Sequence, residues 1–318
     1  MPATGTIIFS DADDYQAYVR TIGIDLLFTR LRGFKASLTL ASLPSLYVLA
    51  VQENLPRIAQ WMLAPEQVVV GFPMRARTPQ IWAGMQVGPR EIVLPWRGER
   101  LYQWTSGPSS WGSMVLPRAC LAAHAKALAG LELAPPAGGS TLRPSRPAAA
   151  RLRKLHAKAC QIADAQPNII AHPEVARGLE NDLLDALVNC LTDIIVAGQA
   201  ATRRRHEDIM DRLEDVLTAR DGRELSIPEL CAAIRVRERT LRMCCTKFLG
   251  MSPGRYIRLR RLSLVRVALL SGDAATTTVG MIARRNGFSE LGRMAADYHS
   301  VFGETPSTTL RRSVPRCN

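Results

Sequence analysis

Basic side chains are concentrated in the last 116 residues of the chain. Residues 203–318 hold 22 Lys and Arg against 13 Asp and Glu, and so carry +9 of the total net charge of +13. The potentials of clustered like charges add, so such a surface attracts phosphate groups and other anions. The composition therefore favours a partner with negative charge for this part of the chain.

Cysteine and histidine are the residue types that most often supply metal ligands or nucleophiles, and their spacing here is typical of neither. The seven cysteines form no C-x-x-C pair and have no histidine at zinc-ligand spacing. The five histidines include no pair two positions apart, the spacing that would direct two rings from one strand at one metal. We therefore expect no metal, no cofactor and no catalytic site, and we expect reduced cysteines with structural roles.

A short motif occurs twice in the last third of the chain. Leu249-Gly250-Met251-Ser252-Pro253 returns 53 positions later as Phe302-Gly303-Glu304-Thr305-Pro306. Before each copy lie two helix signals separated by a break, first at Arg235-Val236 and then at Gly287-Phe288. This pattern predicts two helix-turn-helix units in tandem, and such a unit commonly places its second helix in a DNA groove.

Capping and turn signals predict the helices that would position these units. Ser226-Ile227-Pro228-Glu229 is a capping box, in which serine and glutamate each accept a hydrogen bond from a backbone N–H. Ser252-Pro253 starts another helix, since proline at the first helical position loses no hydrogen bond. We predict recognition helices from Arg237 to Leu249 and from Ser289 to about Val301, joined by a rod that ends near Ser271. Held on one rod, the two helices would reach successive major grooves, which are roughly 34 Å apart.

The segment from Leu225 to Arg312 resembles the AraC/XylS family of bacterial transcription regulators. The resemblance implies an activator or repressor that binds double-stranded promoter DNA, often as a homodimer and often under control of a small-molecule effector. For an activator it also implies contact with RNA polymerase. The matching stretches are Leu230-Cys231-Ala232-Ala233, Arg239-Thr240-Leu241-Arg242, Gly250-Met251-Ser252-Pro253, Tyr256 to Leu262, Ile282-Ala283, Gly287-Phe288-Ser289, Leu291-Gly292-Arg293 and Phe302 to Ser307.

The resemblance also assigns DNA contacts to particular positions of the two recognition helices and their surroundings. The base-reading positions that it implies are Arg239, Arg242 and Met243 in the first unit and Glu290, Gly292, Arg293 and Ala296 in the second. An arginine can bond two acceptors of guanine, which is worth about 1–3 kcal/mol of discrimination between bases. For each of these arginines the alternative is a phosphate contact or a solvated charge. The positions expected to contact phosphate, or else to be plain surface charges, are Arg255, Arg258, Arg284 and Arg285.

Several positions depart from the family pattern. Arg235 stands where the family usually has the glycine of the turn. If the turn needs a positive φ there, arginine costs about 1 kcal/mol. Cys245 replaces a large aromatic residue, and Gly280 and Met281 weaken the start of the fifth helix. These departures predict a less stable first unit, but they are compatible with DNA binding.

Residues 1 to about 117 read mainly as short strands separated by Gly- and Pro-bearing breaks, which is typical of a β-barrel or β-sandwich. The family resemblance implies a cupin-like sensor domain in this part, and an absence of paired histidines argues against a metal in it. The residues that we consider for an effector pocket are Trp82, Trp96, Tyr102 and Trp104. The alternative for each of them is an ordinary place in the core.

Two helices are predicted between the strands and the basic segment, after a Pro- and Gly-rich stretch at 134–140. Each helix has one apolar stripe, since its apolar residues are spaced three and four apart. One interpretation is a hairpin that packs on the amino-terminal domain, and the other is a dimerisation surface. The stripes consist of Leu152, Leu155, Ala159 and Ile162 in one helix and Leu184, Leu187, Leu191 and Ile194 in the other.

Together these patterns predict an α+β multidomain protein. The expected parts are a cupin-like sensor domain at 1–145, a helical linker or dimerisation segment at 146–202, and an all-α seven-helix domain with two helix-turn-helix units at 203–318. With no secretory signal and no long apolar run, we expect a cytoplasmic protein without a membrane segment. The expected function is a sequence-specific transcription regulator. Alternatives are an enzyme, either a cupin catalyst or a DNA-repair methyl acceptor, and a chromosome-organising protein that binds DNA without sequence preference.

Overall fold

The computed structural model describes residues 4–62, 64, 66–74, 78–95, 100–130, 132, 141–192, 200–219, 225–273 and 276–312. Within these ranges an amino-terminal domain is built on β-sheets and a carboxy-terminal domain is built of helices. This arrangement confirms the predicted α+β class. Of the helices in the described part, none has both the length and the apolar character that a membrane span requires.

Two antiparallel sheets form the amino-terminal domain. The described strands are β1 Gly5–Phe9, β2 Ile24–Phe28, β3 Ala36–Ser42, β4 Tyr47–Glu53, β5 Arg57–Trp61, β6 Gln67–Pro73, β7 Gln80–Trp82, β8 Met85–Val87, β9 Ile92–Val93, β10 Leu101–Thr105, β11 Ser109–Pro117 and β12 Thr141–Leu142. The larger sheet has the order β1-β3-β4-β11-β6-β9-β12, and the smaller has the order β2-β5-β10-β7-β8. The described strands leave the two sheets separate, so the barrel alternative is not observed.

Tryptophan side chains fill the space between the two sheets. Trp61 and Trp82 come from the smaller sheet and Trp111 from the larger, with ring centroids 5.1–6.3 Å apart. All three rings are buried. Gly71 allows this packing, because a Cβ at that position would lie 2.6 Å from the Trp82 ring. An aromatic core of this kind buries a large apolar area, which stabilises the pairing of the sheets.

The stretch from Ile81 to Val87 forms a hairpin. Ala83 and Gly84 both have positive φ values, of 45° and 71°. Two successive residues in this region produce a tight turn whose twist matches paired antiparallel strands. Consequently β7 and β8 pair with each other, with Trp82 opposite Met85.

An ion pair is buried beside the aromatic core. Arg57 Nε donates to Glu53 Oε2 at 2.9 Å, and Arg57 Nη2 donates to Gln103 Oε1 at 2.9 Å. Tyr15 OH donates to Glu53 Oε1 at 2.8 Å. Burial by itself raises the pKa of Glu53, but the charge and hydrogen bonds of Arg57 bring that pKa below its usual value. Because each group is hydrogen-bonded, the charges are tolerated in the interior.

Helices cover the outer face of the larger sheet. They are α2 Arg118–Ala129, α3 Arg146–Ala165, α4 Pro167–Ile170 and α5 Pro173–Thr192, while α1 Ala12–Arg20 follows β1. His156 on α3 packs on the backbone of Gly112, where a Cβ would lie 2.7 Å from its ring. The predicted stripes, apart from Ile194, which lies outside the described residues, are buried or partly buried in the same cluster as this face of the sheet. The described stripe residues therefore pack intramolecularly, which favours the hairpin over the dimerisation surface.

The carboxy-terminal domain is a series of helices connected by short turns. They are α6 Ala200–Ala219, α7 Ile227–Ile234, α8 Glu238–Leu249, α9 Pro253–Ser271, α10 Val279–Arg285, α11 Leu291–Phe302 and α12 Pro306–Arg311. The long helix α9 lies between two helix-turn-helix units, α7–α8 and α10–α11, as the repeat predicted. Its buried side, which includes Tyr256, Leu262 and Leu269, forms the centre of the domain core.

Candidate nucleic-acid interface

Local hydrogen bonds set the geometry of the first helix-turn-helix unit. Ser226 and Glu229 form the predicted capping box, with Ser226 N donating to Glu229 Oε2 at 2.8 Å. Arg235 ends α7 in the left-handed region, with φ 55° and ψ 49°. The next amide, Val236 N, donates to Cys231 O at 3.0 Å. These bonds close the turn that directs α8 away from α7.

The first recognition helix presents its predicted base-reading side chains to solvent. Its buried face consists of Leu241, Cys244, Cys245, Phe248 and Leu249. Arg239, Arg242 and Met243 lie on the opposite, exposed face, and Met243 is 47% exposed. The amphipathic pattern thus leaves one face of α8 available for a groove.

Sequence reasoning missed Glu238, which contacts one of these side chains. Arg242 Nε and Nη2 donate to Glu238 Oε1 at 2.9 and 2.6 Å. The two residues are four positions apart on α8, so the spacing alone could have identified the pair. Both side chains are about half exposed, so the ion pair contributes little to stability, but it orients the guanidinium on the free protein.

The second unit is built in the same way, with one difference at the start of its recognition helix. Gly287 makes the turn with φ 77°. The helix predicted to start at Ser289 begins at Leu291, its cap position is Glu290, and no side chain accepts a bond from the first turn. Thr278 Oγ1 accepts from Met281 N at 3.2 Å and so caps α10, in spite of the weak residues that follow it.

The exposed face of α11 carries smaller side chains than that of α8. Glu290, Gly292, Arg293 and Ala296 are all exposed, whereas Met294, Tyr298 and Phe302 are buried. A Cβ added at Gly292 would meet no heavy atom within 4 Å, so a DNA backbone or base edge could approach closely. Arg293 Nη1 lies 3.9 Å from a carboxylate oxygen of Glu290, a loose contact at the surface.

Of the four arginines expected at phosphates, three are exposed and one is engaged within the protein. Arg255, Arg284 and Arg285 are exposed. Arg258 is half-buried, forms an ion pair with Asp297 on α11, and lies over the Phe288 ring at 5.9 Å. A plain surface charge would not make these contacts. The geometry therefore favours a structural role for Arg258 over either role that the sequence suggested.

Arg261, one turn further along α9, contacts the second turn directly. Its Nε donates to Asn286 O at 3.1 Å, and its Nη2 donates to Gly287 O at 2.7 Å. Its guanidinium carbon lies 5.2 Å from the centre of the Phe288 ring. Arg258 and Arg261 thus tie the rod to the turn of the second unit. Sequence reasoning did not assign this role, since a basic residue on a basic helix looks the same whether it faces solvent or a neighbouring turn.

The cysteines of the first unit are part of its core. Cys244 and Cys245 are fully buried, and burial raises the pKa of their thiols to about 11 and about 12. They therefore stay protonated and act as small apolar side chains. Across the described ranges, no three side chains of the His, Cys, Asp and Glu types come together in a group that could hold a metal ion.

Three of the proposed effector-pocket residues fall in the described ranges, and they do not line one cavity. Trp82 lies between the sheets, whereas Tyr102 and Trp104 point from β10 to the opposite face of the smaller sheet. There Tyr102 packs against Phe248, with ring centroids 6.4 Å apart, and Trp104 packs against Gly250. Trp96 lies outside the described residues. The alternation of side chains along a strand explains the separation.

Comparison with known proteins agrees with this geometry. Residues 230–312 match a family model described as a helix-turn-helix domain. A 90-residue segment is 38% identical to the XylDLEGF operon transcriptional activator of Pseudomonas putida and covers 28% of each chain. The carboxy-terminal domain belongs to the AraC/XylS family. The matched segment of this chain spans less than a third of the length of that Pseudomonas putida relative.

Two further proteins of this kind are similar over longer segments. The probable thc operon regulatory protein of Rhodococcus erythropolis is 28% identical over 148 residues, which cover 46% of this chain and 45% of that one. The crystal structure of the AraC-like transcriptional activator CuxR aligns with 88% of this chain and 100% of its own, at 17% identity and a TM-score of 0.44. That TM-score is too low to establish a common fold for the whole chains, so the AraC/XylS assignment rests on the helical domain.

Proposed function

We propose that this protein is a sequence-specific transcription regulator that binds promoter DNA through both recognition helices. The observation that carries the proposal is the pair of exposed faces on α8 and α11, joined by the single rod α9. One face presents Arg239, Arg242 and Met243, and the other presents Arg293 beside small residues. A major groove admits one α-helix and shows a distinct pattern of donors and acceptors for each base pair.

The two units differ in the chemistry that they bring to DNA. Arg239 and Arg242 can each offer two donors to guanine. On α11 only Arg293 is suited to that contact, since Gly292 and Ala296 carry no polar group. We infer that the first unit supplies most of the base discrimination and that the second approaches the backbone closely. Exposed Arg255, Arg284 and Arg285 are suited to phosphate oxygens, which position the protein without reading sequence.

Selection of bound DNA from a random duplex pool, with the full-length protein at about 0.15 M salt, tests the proposal. Two enriched base clusters about one helical turn apart are expected, because both recognition faces are exposed. One cluster would mean that a single unit reads bases. Binding without any enrichment would contradict sequence-specific regulation and would favour the chromosome-organising alternative, whose affinity depends steeply on salt.

Single substitutions then test the assignment of the reading residues. Arg239→Ala or Arg242→Ala should weaken the selected site by about 1–3 kcal/mol and relax the preference at one base pair. Arg212→Ala is a matched control, since Arg212 is exposed on α6, outside both recognition faces. Equal losses on the selected site and on random DNA would refute base reading by these two arginines.

The remaining parts of the proposal concern the whole chain. We infer that the protein is not an enzyme, since its relatives are named as activators and regulators of transcription. A promoter-binding protein works in the compartment that holds the DNA, so we propose a cytoplasmic location. The homodimer and the contact with RNA polymerase stay predictions from the family resemblance. Sedimentation equilibrium of the full chain checks the dimer.

The amino-terminal domain, at residues 1–145, is proposed to be a cupin-like sensor for a small molecule. Its two packed sheets support this proposal, as does a surface cleft of about 390 Å³ at one end of the larger sheet. Lys35, Asn54 and Ser109 line the cleft. Residues 146–202 and the seven-helix domain at 203–318 complete the proposed division. A fragment that starts near Arg203 should fold and bind one half-site, and an unfolded fragment would place the boundary elsewhere.

A further inference from the structure

The amino-terminal domain contacts both helix-turn-helix units, and it does so at equivalent places. In each unit the contact lies at the carboxy-terminal end of the recognition helix. On α8 the contacting residues are Phe248 and Gly250, and on α11 they are Val301 and Gly303. The predicted reading residues lie nearer the amino-terminal ends of the two helices. The described part of the domain therefore supports both helices without covering the faces that would enter DNA.

Arg266 is the centre of the contact with the second unit. Its side chain projects from α9 and is buried. Nε and Nη2 donate to the two carboxylate oxygens of Asp13, on α1, at 2.7 and 2.6 Å. Nη1 donates to Glu304 Oε1 at 2.8 Å and to Tyr298 OH at 3.3 Å. One guanidinium thus joins the amino-terminal domain, the rod and the second unit through charge-assisted bonds.

Further bonds strengthen the same contact. Glu304 also accepts from Arg312 Nη1, at 3.1 and 3.2 Å, and Arg312 Nη2 lies 3.6 Å from Asp11 at the start of α1. Leu31 N, in the turn after β2, donates to Val301 O at 2.8 Å. That last bond is between backbones, so it fixes the end of α11 directly on the amino-terminal domain.

The contact with the first unit is mainly aromatic. The Phe248 ring packs on the hairpin turn, where a Cβ at Gly84 would lie 2.7 Å from it. The Trp104 ring packs so closely on Gly250 that a Cβ there would overlap it. Arg100 forms an ion pair with Asp215 on α6 beside these rings. Close packing of rigid rings against backbone leaves little freedom for the two surfaces to slide.

From this geometry we propose that Arg266 is a positioning residue for DNA recognition, which, together with Asp13, sets the distance between the two recognition helices. The inference rests on the proposed function. The rod α9 by itself joins the two recognition helices only through the covalent chain. The amino-terminal domain adds a second, noncovalent connection, between the carboxy-terminal ends of α8 and α11. The distance between the helices determines which spacing of two base clusters the protein accepts. Loosening the second connection widens the range of accepted spacings.

The sharpest variant is Asp13→Asn, because Asp13 lies outside the helical domain. The amide keeps the size of the side chain but removes the charge that Arg266 contacts. Asp14→Asn is the matched control, since Asp14 is exposed in the same turn of α1. Trp104→Ala loosens the contact with the first unit independently. Circular dichroism and urea unfolding of each full-length variant establish that it is folded before DNA is added.

The measurement is the affinity for duplexes that carry the two selected clusters at the best spacing, or with one or two base pairs added or removed. Wild-type protein and Asp14→Asn should prefer the best spacing. Asp13→Asn and Trp104→Ala should reduce that preference roughly two- to thirtyfold, which corresponds to the range of coupling energies expected for residues that join two parts of a molecule. Affinity for a duplex with a single cluster should not change, and a purely structural loss would lower it.

The outcomes separate this inference from the proposed function. In one outcome the pool yields two base clusters while neither variant changes the spacing preference. That result overturns the inference and leaves the regulator proposal intact. The same holds if the wild-type protein shows no spacing preference. A pool that yields no base cluster overturns both. Arg266→Lys provides a further check, because it keeps the charge but cannot hold both oxygens of Asp13 in a planar pair, so its spacing preference should be intermediate.

Discussion

Replacing Arg235 by glycine should stabilise the protein. Arg235 has φ 55° and ψ 49° at the turn of the first unit, whereas the second unit has Gly287 at the equivalent turn, with φ 77°. A Cβ in the left-handed region lies too close to the following carbonyl oxygen, and only glycine avoids that cost. The Arg235 side chain is exposed, so its removal leaves no cavity.

The magnitude follows from two opposing terms. The left-handed conformation costs an ordinary residue about 1–2 kcal/mol. Glycine also makes the unfolded chain more flexible, which lowers the free energy of unfolding by about 0.4–1 kcal/mol. The backbone bonds of the turn, Arg235 N to Ala232 O at 3.2 Å and Val236 N to Cys231 O at 3.0 Å, need no side chain and are retained. The net expectation is a gain of about 0.5–1 kcal/mol in the free energy of unfolding of the helical domain.

Urea unfolding of the full chain, followed by helical circular dichroism, measures the change. Arg237→Gly is the control, because Arg237 is also exposed and close in sequence but has an extended conformation, with φ −72° and ψ 146°. Glycine there relieves no left-handed strain, and because Arg237 is the N-cap of α8, a position that accepts glycine, the change should be close to neutral. The reasoning is refuted if Arg235→Gly lowers the unfolding midpoint, or if both variants shift the midpoint equally.

Three other perturbations have definite expected outcomes. Arg57→Ala leaves the buried Glu53 carboxylate without its cation, and should lower the free energy of unfolding by about 3–5 kcal/mol in urea. Removing both charges, with Arg57→Met and Glu53→Gln, should recover much of that loss. His156 is buried with Nε2 2.9 Å from Leu49 O, and burial lowers its pKa to about 4. The unfolded chain takes up this proton near pH 6.5, so stability should fall by up to about 3 kcal/mol as the pH drops from 6.5 to 4, and His156→Gln should flatten that slope. Arg258→Ala should destabilise the second unit without changing the salt dependence of DNA binding, since its guanidinium already contacts Asp297; a salt slope reduced by about one would show a phosphate contact instead.

Much of the helical domain was predictable from sequence because its signals are local. The capping box at Ser226–Glu229 and the Ser252-Pro253 start act within one helical turn, and both occur as predicted. The strain at Arg235 was also predictable, since the family resemblance places a glycine at this turn, and glycine is the residue that a positive φ favours. The cap of α11 was not, because Ser289 is the better capping residue, yet the tertiary path of the chain places Glu290 at the cap position.

The amino-terminal domain was less predictable because its structure depends on pairing between distant strands. Arg57 and Glu53 are charged residues in two short strands, and no local pattern shows that the packing of one sheet on the other buries them together. The register of the paired strands likewise determines which face of the sheet each tryptophan side chain lies on. Trp82 lies opposite Gln103 on the inner face, so Tyr102 and Trp104, one position on either side, must face outward.

The arginines of α9 show a related limit of prediction from sequence. Arg255, Arg258 and Arg261 follow one another along the rod at intervals of three residues, and the first two were expected at DNA phosphates. The structure separates them. Arg255 is exposed, whereas Arg258 contacts Asp297 and Arg261 contacts the turn at Gly287. Which arginine faces solvent depends on the position of the second unit, which no local pattern specifies.

The exposed recognition faces limit how an effector could control this protein. A ligand shifts an equilibrium only through contacts that differ between two states. The described residues of the amino-terminal domain do not cover the proposed reading residues on α8 or α11, so those faces are already accessible without a ligand. The domain instead contacts the far ends of both helices, through Trp104 on one side and the Asp13–Arg266 pair on the other. A ligand that altered the sheet domain would therefore act by changing the distance between the two recognition helices, and its effect should depend on the spacing of the DNA clusters.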